Sequence, residues 1–546
     1  MQGFADFTDN LLRGGILVAL SLALGGVAWG LLVLRAPGAP AGQTALARRC
    51  VSMVAFGAIG LVLLEAASLG IRAAVLLADL GTGSGAALLA TLPFRGGIVR
   101  TVLALGLAAS ALRLAGAPTQ RGRWRVTTVW ALAVAASGAW LVHGAARLEH
   151  RTLLMTCTML HQVAAAVWTG GLVQLGITWR LTRRDAALAP SWPVLIGRFS
   201  QLALGAIVVL VVTSSPLVWE YVGSWAGLVG TGYGSILATK VALLGAALVL
   251  AAANRRAVHR ARATAADGGL TTTVPSFVEG ETLLAVLILF TAATLASQPP
   301  AIDVVEERAA WSEVVRVFTP KWPSLRTPSV AAMEADTSDP LAVVGGERTA
   351  AAYSWSNYSH NVAGLFLLAM SLLAIAGSGG RGGWGRHWPL GFIGLGIFVF
   401  LRTSANDMIW PFGPRSVWTT MLGDAEVLQH RLGALLVVLL GVVEWRARVH
   451  PTSRLPYVFP LLAGAGGLLL LTHSHAAFEP KSYFLIQVTH TTMGGLAVVV
   501  ACARWLELRL APPGNRLFGV VSNLALLLIA LVLVFYQEAN VAVPDA

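Results

Sequence analysis

The sequence predicts an all-α fold: a polytopic membrane helix bundle of about 14 transmembrane helices, with the N-terminus and the C-terminus both periplasmic. Three observations carry this. Hydrophobic residues make up 56% of the 546 and charged residues only 12%, against about a quarter charged in soluble domains. Apolar runs recur along the whole chain, and about 20 such residues cross the hydrocarbon core as a helix. Basic residues gather in alternate short loops. A closed barrel is disfavoured, because its strands alternate apolar and polar residues over only about 10 positions.

The spans fall near 11–34, 50–74, 97–117, 127–147, 152–177, 198–220, 234–254 and 278–297. Six more fall near 357–377, 388–402, 424–444, 457–474, 484–504 and 517–536, the one at 388–402 being short. The basic loops include "RAPGAPAGQTALARR", "QRGRWR", "RLTRRD", "NRRAVHRARA", "GRGGWGRH", "EWRARVHPTSR" and "RWLELRLAPPGNR". The positive-inside rule places them in the cytoplasm, and the intervening loops face the periplasm of a bacterial cell inner membrane. The stretch 302–353 is the one substantial polar segment, read as a periplasmic connector whose "EERAAWSEVVRVF" packs on the membrane surface. It divides a membrane domain at 1–301 from a C-terminal six-helix membrane domain at 354–546.

The net charge of +13 lies in those loops and indicates no nucleic acid partner; membrane lipid is the partner the composition implies. The first apolar run is too long for a signal-peptide core and lacks a cleavage site. Cys50, Cys157 and Cys502 form no CxxC pair, so no disulfide framework is indicated. No GxxxxGK[ST] is present, so ATP drive within this chain is not expected, and no enzyme activity is assigned.

His143, His150, His161, His360, His430, His473, His475 and His490 all fall toward the periplasmic side of this topology. His259, His387 and His450 lie in basic loops. Ionisable groups at membrane depth are costly and face a bundle interior or cavity. Imidazole is also the commonest metal ligand and suits Cu, Zn and Fe. One helix-end histidine is more often an interfacial hydrogen-bonding residue; eight on one face point to metal. His430, His473, His475 and His490 are expected to converge, with Glu426 one turn from His430 on the same face. In the first half, His143 and His161 form a second candidate set, with Cys157 four residues before His161. Thiolate and thioether ligands favour Cu(I), and Met155 and Met159 lie nearby on a different helix face.

Lys240, Glu65 and Glu281 are charges inside predicted helices. The functional reading is a polar transport path running inward from the histidines, with Lys240 pairing with Glu65 or gating; the alternative is structural ion pairs and, for Lys240, snorkelling. "EWRAR" and "RWLELRL" read as interfacial anchors.

Residues 143–301 resemble the copper-resistance protein D (CopD) family, long form with a C-terminal membrane extension. The matching stretches are "HGAA" at 143–146, "LHQVAAAVWTGGL" at 160–172, "RFSQLALGAIVVLVVTS" at 198–214, "TGYGSILATKVALL" at 231–244, "AANRR" at 252–256 and "VEGETLLAVLILFTAATLASQPPA" at 278–301. "NDMIWPFG", "DAEVLQHR", "THSH", "THTTMGG" and, more weakly, "YQE" carry the likeness of the second half to the extension. The resemblance implies copper ions as cargo, taken up or handled at the inner membrane, and a periplasmic partner of the CopC type. It makes copper uptake through the periplasmic-side histidines the leading reading. A b-type haem electron-transfer protein, with His430 and His473 or His490 as axial ligands, is the rival of another class. A copper-delivery platform without transport is the third.

Overall fold

The structure is a computed structural model describing residues 2–35, 43–264, 269–329, 331–332, 350–378, 383–402, 416–423, 425–450, 454–472 and 481–538. Among the described residues there is no strand. The principal helices of the first half are α1 (Gln2–Ala28), α2 (Gln43–Leu80), α3 (Leu92–Ala115), α4 (Arg121–Ser137), α5 (Arg151–Thr182), α6 (Trp192–Val222), α7 (Gly232–Thr264) and α8 (Val274–Leu295). Then come α9 (Trp311–Phe318), α10 (Ala350–Ser378), α11 (Leu390–Leu401), α12 (Ala425–Val449), α13 (Val458–Leu471), α14 (Lys481–Arg509) and α15 (Gly514–Val534).

Ten helices among the described residues are long and apolar enough to cross a membrane. The expected spans outside that set have physical reasons for it. α11 has 12 residues and α13 has 14; at about 1.5 Å per residue each falls short of a hydrocarbon core about 30 Å thick. α4 stops at Ser137 after 17 residues and gives way to a 3₁₀ turn, Gly138–Trp140. α5 is long enough but carries His161, Gln162, Gln174 and several threonines, which lower its apolarity.

The chain forms two compact units. The first holds residues 8–223 and 243–297; the second holds 1–7, 224–242 and 298–546. The segment 224–242 thus belongs with the second half of the chain. One reason is local: the Ala309 N–H donates to the Gly230 carbonyl at 3.0 Å.

In the first unit, α1 crosses α5 at the closest approach glycine permits. A Cβ on Gly170 would lie 2.0 Å from the Ser21 carbonyl oxygen, and one on Gly25 would lie 2.4 Å from that of Ala166. Small residues at such crossings let helix backbones pack directly in membranes. Around them Leu20, Leu24, Val54, Leu61 and Leu107 form a buried core. Two carboxylates inside this unit, Glu65 and Asp9, are paired with arginines, which offsets the cost of charge in a bilayer. Glu65 accepts from Arg100 at 2.8 Å, and Asp9 accepts from Arg13, Arg72 and Ser68.

In the second unit, α14 packs against α13 and α15, α15 against α10, and α11 against α12. Buried Glu444 of α12 accepts from Arg448 at 2.8 Å and from Arg504 of α14 at 2.9 Å. Arg504 also reaches Glu507 at 2.8 Å. "EWRAR" and "RWLELRL" therefore meet in one ion network. The described part of the connector carries a helix, α9. The apolar face of α9, expected on a membrane surface, packs with Val314 and Val317 against Phe484, Leu485 and Val488 of α14. Glu313 holds its start by accepting the Ala310 N–H at 2.7 Å and pairing with Lys481.

Gly170→Ala should destabilise the protein by about 1–3 kcal/mol, the usual cost of overpacking. Gly176→Ala on the same helix, where a Cβ meets nothing within 4 Å, should leave stability unchanged or raised. Thermal unfolding in detergent reads both; equal behaviour of the two variants would count against the close crossing.

Partial burial of Glu313 opposes its ionisation, but Lys481 and the Ala310 N–H outweigh it and hold its carboxyl below the ordinary 4.5. Its contribution is therefore fully present above pH 4.5 and lost as the pH falls through the lower, folded value. Hydrogen exchange over 311–318 should speed up in that acid range, and Glu313→Gln should flatten the dependence. An unaltered pH response in the variant would remove Glu313 as its source.

Candidate metal-binding histidines

Three of the helix-borne histidines share one local device. His360 Nδ1 lies 2.8 Å from the Ser356 carbonyl, His430 Nδ1 lies 2.8 Å from that of Glu426, and His490 Nδ1 lies 3.0 Å from that of Ile486. Each is the carbonyl four residues back, where helical side chains naturally lean. A carbonyl only accepts, so Nδ1 carries the proton and Nε2 carries the lone pair. His161 reaches the same tautomer by another route. Its Nδ1 is 3.2 Å from Thr213 Oγ1 and 3.4 Å from Ser214 Oγ, both on α6. Those hydroxyls donate to the carbonyls of Val209 and Leu210, at 2.7 Å in each case, and so accept from the imidazole. A hydrogen bond at one ring nitrogen that fixes the other for metal is the usual support of histidine ligands.

Two of these histidines meet in the second unit. The rings of His360 on α10 and His490 on α14 have centroids 5.5 Å apart and planes at 89°. Tyr536, just past α15, stacks on His360 at 4.0 Å and meets His490 edge-on at 5.9 Å. The Tyr536 hydroxyl donates to Glu538 at 3.0 Å, and Ser356 donates to the same carboxylate oxygen. The turn bearing Tyr536 and Glu538 is held by α10. Asn361 Nδ2 donates to the Tyr536 carbonyl at 2.9 Å, and the Glu538 N–H donates to Asn357 Oδ1 at 2.8 Å.

The other expected residues are distributed as follows. His143 was placed near the end of a membrane helix; instead α4 ends at Ser137, and His143 opens a 3₁₀ turn, His143–Ala146. Its side chain, like His473 and His475, lies outside what the structure describes. His150 caps α5 in the left-handed region, φ 51°, with Nδ1 3.0 Å from Glu220. Cys157 is buried one turn before His161. Glu426 lies in the first turn of α12, where its carbonyl engages His430. The carboxylate of Glu65 is taken by Arg100, and that of Glu281 is met by the Asn254 amide at 3.3 Å. Among the described residues Lys240 forms no ion pair, and no three His, Cys, Asp or Glu side chains are grouped to hold a metal ion.

Asn357 and Asn361 had no role assigned from sequence, and Tyr536 and Glu538 entered only as part of the "YQE" of the family likeness. The signal for the two asparagines was the polar density of "SWSNYSHN" at 354–361, inside an otherwise apolar helix. Side chains four apart on that helix, Ser356 with His360 and Asn357 with Asn361, lie on one face.

Residues 193–295, covering nearly all of α6 and the whole of α7 and α8, match the family model for Copper resistance protein D. No curated protein and no solved structure matches the chain.

Tyr536→Phe keeps the ring stack but removes one donor to Glu538, and should cost about 0.5–1.5 kcal/mol. Tyr536→Ala removes a ring that is 3% exposed, and should cost about 3–5 kcal/mol. Unfolding curves in detergent measure both, and a silent Tyr536→Ala would contradict the packing described.

Proposed function

We propose that this CopD family protein takes up copper ions at the periplasmic face of a bacterial inner membrane through imidazole sites. The observation that carries the reading is the His360–His490 pair, with centroids 5.5 Å apart and both Nδ1 protons committed to backbone carbonyls. A metal bound to imidazole at about 2.0 Å lies roughly 3 Å from the ring centroid. Two rings on one ion then have centroids about 5–6 Å apart. Two neutral nitrogens suit Cu(I), which accepts few ligands and needs no deprotonation here. His161, with Cys157 one turn away, offers a second nitrogen–sulfur pairing in the first unit.

For onward passage, Glu65 fits a structural pair with Arg100 better than a step on a path. Glu281, met by the neutral amide of Asn254, is the better intramembrane acceptor. Lys240 would repel a cation and suits a gate. A carrier of the CopC type would deliver the copper. The haem alternative is disfavoured at the His360–His490 pair, because the Tyr536 ring stacked on His360 at 4.0 Å fills space that a porphyrin between axial ligands requires.

His360→Ala and His490→Ala should each lower copper bound per purified chain by the same amount, and the double variant should be no worse, because one shared ion is lost once. Elemental analysis measures this, and proteoliposome uptake tests transport. Full copper retention by the double variant would sink this site; tight binding without any uptake would leave a delivery platform in place of a transporter.

A further inference from the structure

We infer that the second unit holds one anionic phospholipid at a built site between α11 and α12, with its phosphate on Arg431. A cavity of about 360 Å³ lies there, lined by Ile397, Phe400, Trp418, Leu435, Val438 and Arg431. Its volume is within the range of about 300–1,000 Å³ typical of ligand pockets. Its walls are apolar except for the guanidinium. Arg431 is 4% exposed, and among the described residues its Nε and Nη1 are buried without a hydrogen-bond acceptor. Its guanidinium lies over the Phe400 ring, 4.1 Å from Cζ to centroid. A cation–π contact offsets little of the cost of burying a guanidinium. An anion in the cavity offsets far more, through charge-assisted hydrogen bonds.

Position and shape select a lipid as the source of that anion. Arg431 is the seventh residue of α12, about 9 Å along the helix from its start, and so within reach of a phospholipid headgroup. Ile397, Trp418 and Leu435 are 53%, 73% and 57% exposed, so the cavity opens on the apolar flank of the unit. An acyl chain can lie along that flank while its phosphate meets Arg431. A free phosphate has no use for the apolar walls, and a neutral amphiphile brings no countercharge.

The test uses the full chain purified in detergent, stripped of lipid and titrated with phosphatidylglycerol or phosphatidylcholine, with native mass spectrometry as the readout. Wild type should bind phosphatidylglycerol in preference to phosphatidylcholine. Arg431→Gln should bind phosphatidylglycerol about tenfold more weakly, the loss expected of a charge-assisted bond. Leu435→Trp, which narrows the mouth and leaves Arg431 intact, should lose the bound lipid too and keeps the proposal testable if Arg431→Gln does not fold. Unaltered lipid binding in Leu435→Trp, or in a folded Arg431→Gln, overturns the proposal. So does inorganic phosphate at millimolar concentration displacing the lipid, which would mark a simple anion site.

Discussion

The second unit depends on the side-chain amide of Asn361. It is 2% exposed and joins three stretches of backbone that are distant in sequence. Its Oδ1 accepts the Ser324 N–H at 2.6 Å, and its Nδ2 donates to the carbonyls of Leu533 and Tyr536 at 3.2 and 2.9 Å. Each of those backbone groups lies outside a regular helical ladder or at its end, where helical partners run out; the Leu533 carbonyl also accepts the Tyr536 N–H at 3.2 Å. Through this one residue the connector and the turn after α15 are held to α10, and Tyr536 comes to lie on His360. Gln537 extends the same clamp by donating to the carbonyls of Arg316 and Thr319 at the end of α9.

A chain with so little charge uses nearly all of its interior charge structurally. Glu444 with Arg448 and Arg504, Glu65 with Arg100, and Asp9 with Arg13 and Arg72 are each closed ion pairs or networks. Removing one partner of such a pair leaves an uncompensated charge, which is why these groups read as scaffold. Lys240, Glu281 and Arg431 differ, because the described structure gives none of them an opposite charge. Unpaired charge, more than charge itself, separates groups available for function from groups that hold helices together.

The tautomer device links helix geometry to chemistry. A histidine within a helix leans back on the carbonyl four residues earlier, so its Nδ1 proton is taken without any help from tertiary structure. His360, His430 and His490 all do this, and their spacing alone permitted it. That Nδ1 would carry the proton was therefore legible in principle from residue type and helix assignment. His161 required α6, because its acceptors Thr213 and Ser214 come from another helix.

Composition and periodicity were enough to determine an all-helical membrane protein, the approximate place of its helices and the wealth of imidazole, because burial in lipid demands long apolar helices whatever their neighbours are. They could not decide which histidines meet. The expected partners of His490 were His430, His473 and His475, of which the last two lie outside the described residues. The described structure brings it His360, some 130 residues away by numbering, because α14 and α10 both pack on α15. The same holds for segment 224–242, which joins the second unit through Gly230 and Ala309, and for Glu65, whose partner proved to be Arg100. Local sequence sets what a helix is and which way its side chains lean; only packing between helices fixes which polar groups share a site.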